Sequence, residues 1–174
     1  MKVIALAVTS LDGCLTRHDE PGVSFSSPED QAHFRRVMRD CGATIMGRRT
    51  FDTVRDRILA APASGLCRTV MTRDPAAYAD VEHPGALEFT AASPREIVSS
   101  LSARGFEAVA VLGGGEIFDL FVADALLTEW RITVEPRLFG TGTRLLSRPT
   151  DRHLRLTGHR LLNESTLLLT YSAR

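Results

Sequence analysis

Twice in this chain a short apolar run ends on glycine and passes at once into a helical pattern, in "ATIMGRRTF" at 43–51 and in "AVAVLGGGEIFDLF" at 108–121. A buried strand that turns directly into a helix commits the chain to a sheet covered by helices, because neither element buries its apolar surface alone. Glycine loses more conformational entropy on folding than any other residue, so three in succession, Gly113 to Gly115, mark a backbone that must approach something closely.

The flanking segments extend the same pattern. "KVIALAVT" at 2–9 is a β-prone run closed by the turn signal Asp12-Gly13. "SSPEDQAHFRRVMRDCG" supplies Ser27 as N-cap, Pro28 at the first helical position, acidic Glu29 and Asp30 in the first turn, and Gly42 as the stop. "GRRTFDTVRDRIL" has helical spacing at Phe51, Val54 and Ile58, "RTVMT" at 68–72 is another strand, and a weak strand falls near "LEFT". "SPREIVSSLSARG" repeats the Ser-Pro start, with Glu96 at the third helical position and Gly105 as the stop. After the triple glycine, Ile117, Phe118 and Phe121 share one helical face. "LLTEWRITVEPRLFGTGTRLL" holds a strand and a glycine-rich loop, and "HLRLTGHRLL" and "STLLLTYSA" alternate as an antiparallel hairpin about "NES". Strands alternating with helices, then consecutive strands, predict one α/β domain over residues 1–174, with a mostly parallel sheet and an antiparallel C-terminal edge.

In such a sheet ligands sit beyond the carboxyl ends of the strands, and a helix N-terminus offers free N–H groups and the positive end of a dipole to a phosphate. At the first corner Gly47 lets the backbone come close, Arg48 and Arg49 present guanidinium forks and Thr50 adds a hydroxyl. Arg73, in "MTRDP", is a third cation near the same spot if the two strands are neighbours. "GGGEIF" is not a Rossmann fingerprint, because Phe118 stands at the third glycine position. There is no P-loop, HExxH, nucleophile elbow or C-x-x-C, which argues against hydrolase and metalloenzyme chemistry and leaves no metal set. Lys2 is the only lysine, which excludes a buried Schiff-base lysine. Equal counts of 21 basic and 21 acidic residues give no global field for nucleic acid or an anionic membrane. Cys14, Cys41 and Cys67 are odd in number and without metal spacing; together with an N-terminus that reads as a strand and not a signal peptide, they point to a reducing, cytoplasmic setting. Asp12 and Asp30 are the candidate acids, although a turn and a helix start each favour aspartate without any catalytic reason.

With these segments in order, "TSLDG", "SSPEDQAHFRRV", "TIMGRRTF", "VMTRDP", "VLGGGEIF" and "WRITVEPRLFGTGTRLL", the chain resembles the dihydrofolate reductase superfamily over nearly its whole length. It is most similar to the branch holding the pyrimidine reductase domain of riboflavin biosynthesis. The resemblance implies the three-layer dihydrofolate reductase-like fold and NADPH as cofactor. By match, the cofactor would meet Ala7, Gly47, Arg48, Arg49, Thr50, Thr72, Arg73 and the stretch Gly113, Gly114, Gly115, Glu116, Ile117 and Phe118, with a cis bond between Gly113 and Gly114. It also implies Asp30 as the active-site acid with Thr133 as its hydrogen-bond partner, while the riboflavin-type branch places Asp12 beside the substrate cleft.

The departures bear on the substrate. Leu66 stands where folate reductases carry the arginine for the glutamate tail, and "CLTRHDEPGVSF" is polar where they have an apolar loop. Leu112 stands where riboflavin-type enzymes often have an acid. The expectation is a reductase of a nitrogen heterocycle, most simply the phosphoribosylamino-pyrimidine, acting on a small molecule as a homodimer. Dihydrofolate reduction and NADPH binding without turnover are the alternatives.

Overall fold

The computed structural model describes residues 1–60 and 65–173. Its centre is β1 (Lys2–Ser10), whose side chains are buried on both faces from Val3 onward, as expected for a strand covered by helices on each side. The chain then forms α1 (Pro28–Cys41), β2 (Ala43–Gly47), α2 (Arg48–Leu59), β3 (Cys67–Met71), β4 (Leu87–Thr90) and α3 (Pro94–Ala103). It continues through β5 (Ala108–Val111), α4 (Gly115–Ala123), β6 (Glu129–Glu135), β7 (Leu154–Leu161) and β8 (Leu167–Ala173). A short 3-10 turn, Pro75–Tyr78, lies in the stretch that the sequence leaves as loop.

The strands form one eight-stranded sheet in the order β4-β3-β2-β5-β1-β6-β8-β7. Pairing is parallel from β4 to β6 and antiparallel from β6 through β8 to β7, so both the parallel body and the C-terminal hairpin stand where the sequence puts them. Alternation along β1 explains the three layers. Ile4 and Leu6 join Val37 and Cys41 of α1, whereas Val3, Ala5 and Ala7 face Ile97 and Leu101 of α3 and Phe118 and Phe121 of α4. On the α1 side, α2 closes a second cluster in which Phe51 meets Phe89 edge-on at 5.0 Å, with Val70 and Leu87 beside them.

Local chemistry fixes the helix ends as the sequence implies. Ser27 caps α1 by accepting from the Asp30 N–H, Ser93 and Glu96 form a reciprocal capping box on α3, and Gly42 ends α1 at φ 69°, where a side chain is costly. The other two helices, α2 and α4, begin on Gly47 and Gly114 with no side-chain cap at all.

Phe51 has no exposed surface, so Phe51→Ala removes a fully buried ring and leaves a cavity between α2 and β3–β4. Urea unfolding should show a loss of about 3–5 kcal/mol.

Candidate active site

The strand order contains the switch that makes a cleft. From β1 the chain crosses β5 to reach β2, and from β5 it crosses β1 in the other direction to reach β6, so connections leave β5 and β1 on opposite faces. Pairing of β1 with β5 ends at Ala5–Val111, which puts Ala7 beyond the split, next to the point where the glycines leave the sheet.

The two glycine corners lie side by side. Leu112 N–H donates to Ile45 C=O at 2.8 Å and Gly47 N–H to Gly113 C=O at 2.9 Å, extending the β2–β5 ladder past its regular end. The Gly113–Gly114 peptide bond is cis, as the resemblance implied. Each glycine has its own reason to be there. A Cβ on Gly47 would stand 2.8 Å from Ile117 Cγ1, one on Gly113 (φ +83°) 2.6 Å from the Phe118 ring, and one on Gly115 2.7 Å from Arg144 C=O. Three of the four glycines thus serve the protein's own packing. Gly114 is the exception, its nearest neighbour being Thr50 Oγ1 at 3.8 Å, and it leaves the backbone between the two uncapped helix starts open to a ligand.

Arg48, Arg49 and Thr50 start α2 at this opening. Arg48 pairs with Asp52 at 2.7 Å, and the Tyr78 hydroxyl donates to the same carboxylate at 3.2 Å. Arg49 reaches across to Glu116 of α4 at 2.5 Å, bridging the two corners. Both are exposed ion pairs, worth little in water and readily exchanged for a more highly charged anion. Thr72 and Arg73 follow β3, which pairs with β2 as far as Gly47–Met71, so they lie along the same edge of the cleft. Ile117 and Phe118 place their side chains in the core beneath it.

The two candidate acids have opposite environments. Asp12 Oδ1 accepts from Ser10 Oγ at 2.6 Å and Asp12 Oδ2 from Gly140 N–H at 2.7 Å, with Phe139 N–H sharing both oxygens. These donors hold its carboxyl down at about 2, so Asp12 is a permanent anion that clips the turn after β1 to the loop after β6. Asp30 is buried, and desolvation pushes its carboxyl above the usual carboxylate range. The Ser26 hydroxyl, 2.6 Å from Oδ2, opposes that shift and the charge of Glu135 adds to it.

The expected bond from Thr133 to Asp30 is not made. The Thr133 hydroxyl is close enough to favour the ionised form of Asp30, yet its Oγ1 is buried without a hydrogen-bond partner, and the hydroxyl that does donate to the Asp30 carboxyl is that of Ser26. Sequence reasoning also missed Glu135, which is buried and accepts from Ser27 N–H at 2.7 Å and from Thr166 Oγ1 at 2.8 Å. The available signal was the period of two in "TVE", which sets Glu135 on the same sheet face as Thr133. An open groove of about 440 Å³ runs past Ser26, Glu135 and Thr166, giving this polar network a side toward solvent. Leu66 is buried just before β3 and offers nothing to an anionic tail.

A mostly parallel sheet with a cleft at its switch point and helices on both faces defines the α/β class of dihydrofolate reductase-like proteins. Within it, the model of the RibD C-terminal domain matches residues 1–168, and the chain belongs to that family of reductases. Among solved structures it is similar to a putative riboflavin biosynthesis protein from Shewanella sp. PV-4, at 24% identity and TM-score 0.76, covering 100% of this chain and 99% of that one. A pyrimidine reductase-like protein from Corynebacterium diphtheriae matches at 13% identity and TM-score 0.74, covering 99% and 92%. The diaminohydroxyphosphoribosylaminopyrimidine deaminase/5-amino-6-(5-phosphoribosylamino)uracil reductase of Thermotoga maritima matches at 15% identity and TM-score 0.78. There the alignment covers 99% of this chain but 56% of the other, so this chain spans little more than half of that protein. No curated protein sequence matches. Among the described residues no helix is long and apolar enough to cross a membrane, no group of side chains could hold a metal ion, and all three cysteines are free and buried.

The opposed acids give opposed pH effects on stability. A depressed carboxyl stabilises the fold above its unfolded value near 3.8 and stops doing so as pH falls through about 2; a raised one stabilises only when protonated and ceases to as pH rises. Asp12→Asn should therefore lower the melting temperature at pH 7, with the deficit shrinking as pH falls below about 4 and gone once pH falls below about 2. Asp30→Asn should melt no lower than the parent at pH 7 and lose any advantage in acid, measured by thermal unfolding across pH.

Proposed function

We propose that the chain is an NADPH-dependent reductase of the riboflavin-pathway pyrimidine type, taking a phosphoribosylamino-pyrimidine as substrate. The observation that carries this reading is the pair of uncapped helix starts, α2 and α4, held together by the Gly47–Gly113 hydrogen bond and faced by exposed arginines. The opening at Gly114 and the arginine pairs fit a phosphorylated dinucleotide: free backbone N–H groups for its pyrophosphate, and Arg48, Arg49 and Arg73 for the extra phosphate that distinguishes NADPH from NADH. When bound, NADPH supplies the hydride. Ala7, beyond the β1–β5 split, is the residue to lie along the nicotinamide, and the corners orient the cofactor while the buried strand ends exclude water.

Reduction of a C=N or C=O carbon also needs a proton, and Asp30 is the group to provide it. Burial raises its affinity for a proton, whereas Asp12, held as an anion by three donors, has none to give. Ser26 then holds the carboxyl in place, and the charge of Glu135 maintains the electrostatic bias. Leu66 and the polar 14–25 loop disfavour a folate substrate. We place the enzyme in the cytoplasm, given three unpaired buried cysteines, and as a homodimer, given that β7 is an edge strand exposing Leu156 (50%) and Leu161 (61%).

Three measurements check these assignments. Following NADPH absorbance against pyrimidine, pterin and folate substrates should show turnover with the phosphoribosylamino-pyrimidine alone. Turnover of dihydrofolate instead would reverse the substrate assignment. Replacing Arg48 and Arg49 together by alanine should weaken NADPH binding by roughly 1.5–3 kcal/mol per lost phosphate hydrogen bond and leave NADH nearly unchanged. In the parent enzyme the rate should fall as pH rises through the raised Asp30 value, and that limb should disappear in Asp30→Asn while persisting in Asp12→Asn.

A further inference from the structure

On the α1 side of the sheet, α1 covers β1 and β5, and α2 covers β2 to β4, but no described helix lies over β6, β8 and β7. Where α1 meets this bare half, His33 points down from the helix and is 6% exposed. Two guanidinium groups converge on its Nδ1: Arg36 Nη2 from the same helix at 3.2 Å and Arg160 Nη2 from β7 at 3.4 Å. The two nitrogens therefore lie within about 7 Å of each other. Neither arginine has a carboxylate partner among the described residues, while the nearby Arg131 is held by Glu129, which also binds Lys2.

This arrangement is one anion short. A neutral imidazole nitrogen is a weak partner for one guanidinium and a poor one for two, and the unneutralised charges repel. For Nδ1 to accept, the ring must carry its proton on Nε2, and that atom is buried with no partner. Burial and the charges of Arg160, Arg36 and Arg131 hold the imidazole down at about 4, so it stays neutral and does not add to the repulsion. The floor is open as well. Across the sheet Arg131 pairs with Thr170 and Thr170 with Gly158, where an added Cβ would meet only Thr170, at 3.9 Å.

We propose that Arg36 and Arg160, with His33 between them and Thr170 on the floor, form a binding site for a phosphoryl dianion, separate from the glycine corners. Two guanidinium groups at this spacing can each direct an N–H pair to different oxygens of one tetrahedral oxyanion, which replaces the shared imidazole as their acceptor. Arg131 adds positive potential without leaving Glu129. The site does not depend on the cofactor assignment, since it uses none of the corner residues.

The test is a titration of the protein with inorganic phosphate, and separately with ribose 5-phosphate, followed by histidine imidazole NMR against chloride at matched ionic strength. A saturable shift of the His33 ring in the millimolar range or tighter is expected, at least tenfold weaker in Arg36→Gln with Arg160→Gln and largely kept in Arg36→Lys with Arg160→Lys. The stronger of the two ligands shows whether the site takes the free ion or the phosphoryl group of a small metabolite. Both arginines are exposed, and an unchanged amide spectrum of the glutamine variant establishes that it is folded. Arg48→Ala with Arg49→Ala should leave the His33 titration as in the parent even where it abolishes NADPH binding. The proposal is overturned if chloride gives the same shift, if the glutamine variant binds as the parent does, or if only the corner variant loses the response.

Discussion

Much of this molecule rests on the hydrogen bond from Gly47 N–H to Gly113 C=O, at 2.9 Å. It forms beyond the last regular β2–β5 pair, where two parallel strands would ordinarily part to enter their helices. Holding them together there sets the starts of α2 and α4 side by side, which aligns two dipoles and two sets of free N–H groups on one opening. The glycines are what allow this approach, since a side chain at 47, 113 or 115 would collide with Ile117, Phe118 or the Arg144 carbonyl. The same closeness brings Arg49 and Glu116 into contact across the gap. Fold and cleft are therefore one construction: the packing that completes the core beneath α4 also shapes the surface above it.

A second constraint governs the side that carries the two acids. The β1–α1 loop is clipped by Asp12 to residues 139–140, and the start of α1 is tied to β6 and β8 through Glu135, Ser27 and Thr166. Asp30 sits inside that frame with Ser26 as its partner. Two carboxylates close in sequence thus diverge in chemistry, one stabilised as an anion by donors and the other made basic by burial. On the function proposed above, that divergence leaves one acid for structure and the other for proton transfer.

What could be read in advance follows the range of the interactions. Ser27 and Ser93 announce their helices because an N-cap is satisfied within three residues, and Gly42 announces an end for the same reason. The parallel body and the terminal hairpin were legible from apolar periodicity and turn residues. The triple glycine was legible as a close approach, but not its object, because Ile117, Phe118 and the loop carbonyl at Arg144 are specified only by the packed fold. Asp12 could not be separated from Asp30 in the sequence, since beside the local Ser10 hydroxyl its donors, Gly140 and Phe139, lie more than a hundred residues away. Thr133 was matched to Asp30 across the sheet, but the hydroxyl that donates to Asp30 is Ser26, one residue before the helix cap, and Thr133 Oγ1 is left without a partner.

The most direct test of the cleft is a crystal structure of the chain grown with NADPH. The pyrophosphate should rest on the N–H groups at Gly114 and the start of α2, with Arg49 turned from Glu116 toward a phosphate and the nicotinamide beside Ala7. A dinucleotide bound elsewhere, or corners that keep the Arg49–Glu116 pair and admit nothing at saturating cofactor, would contradict it.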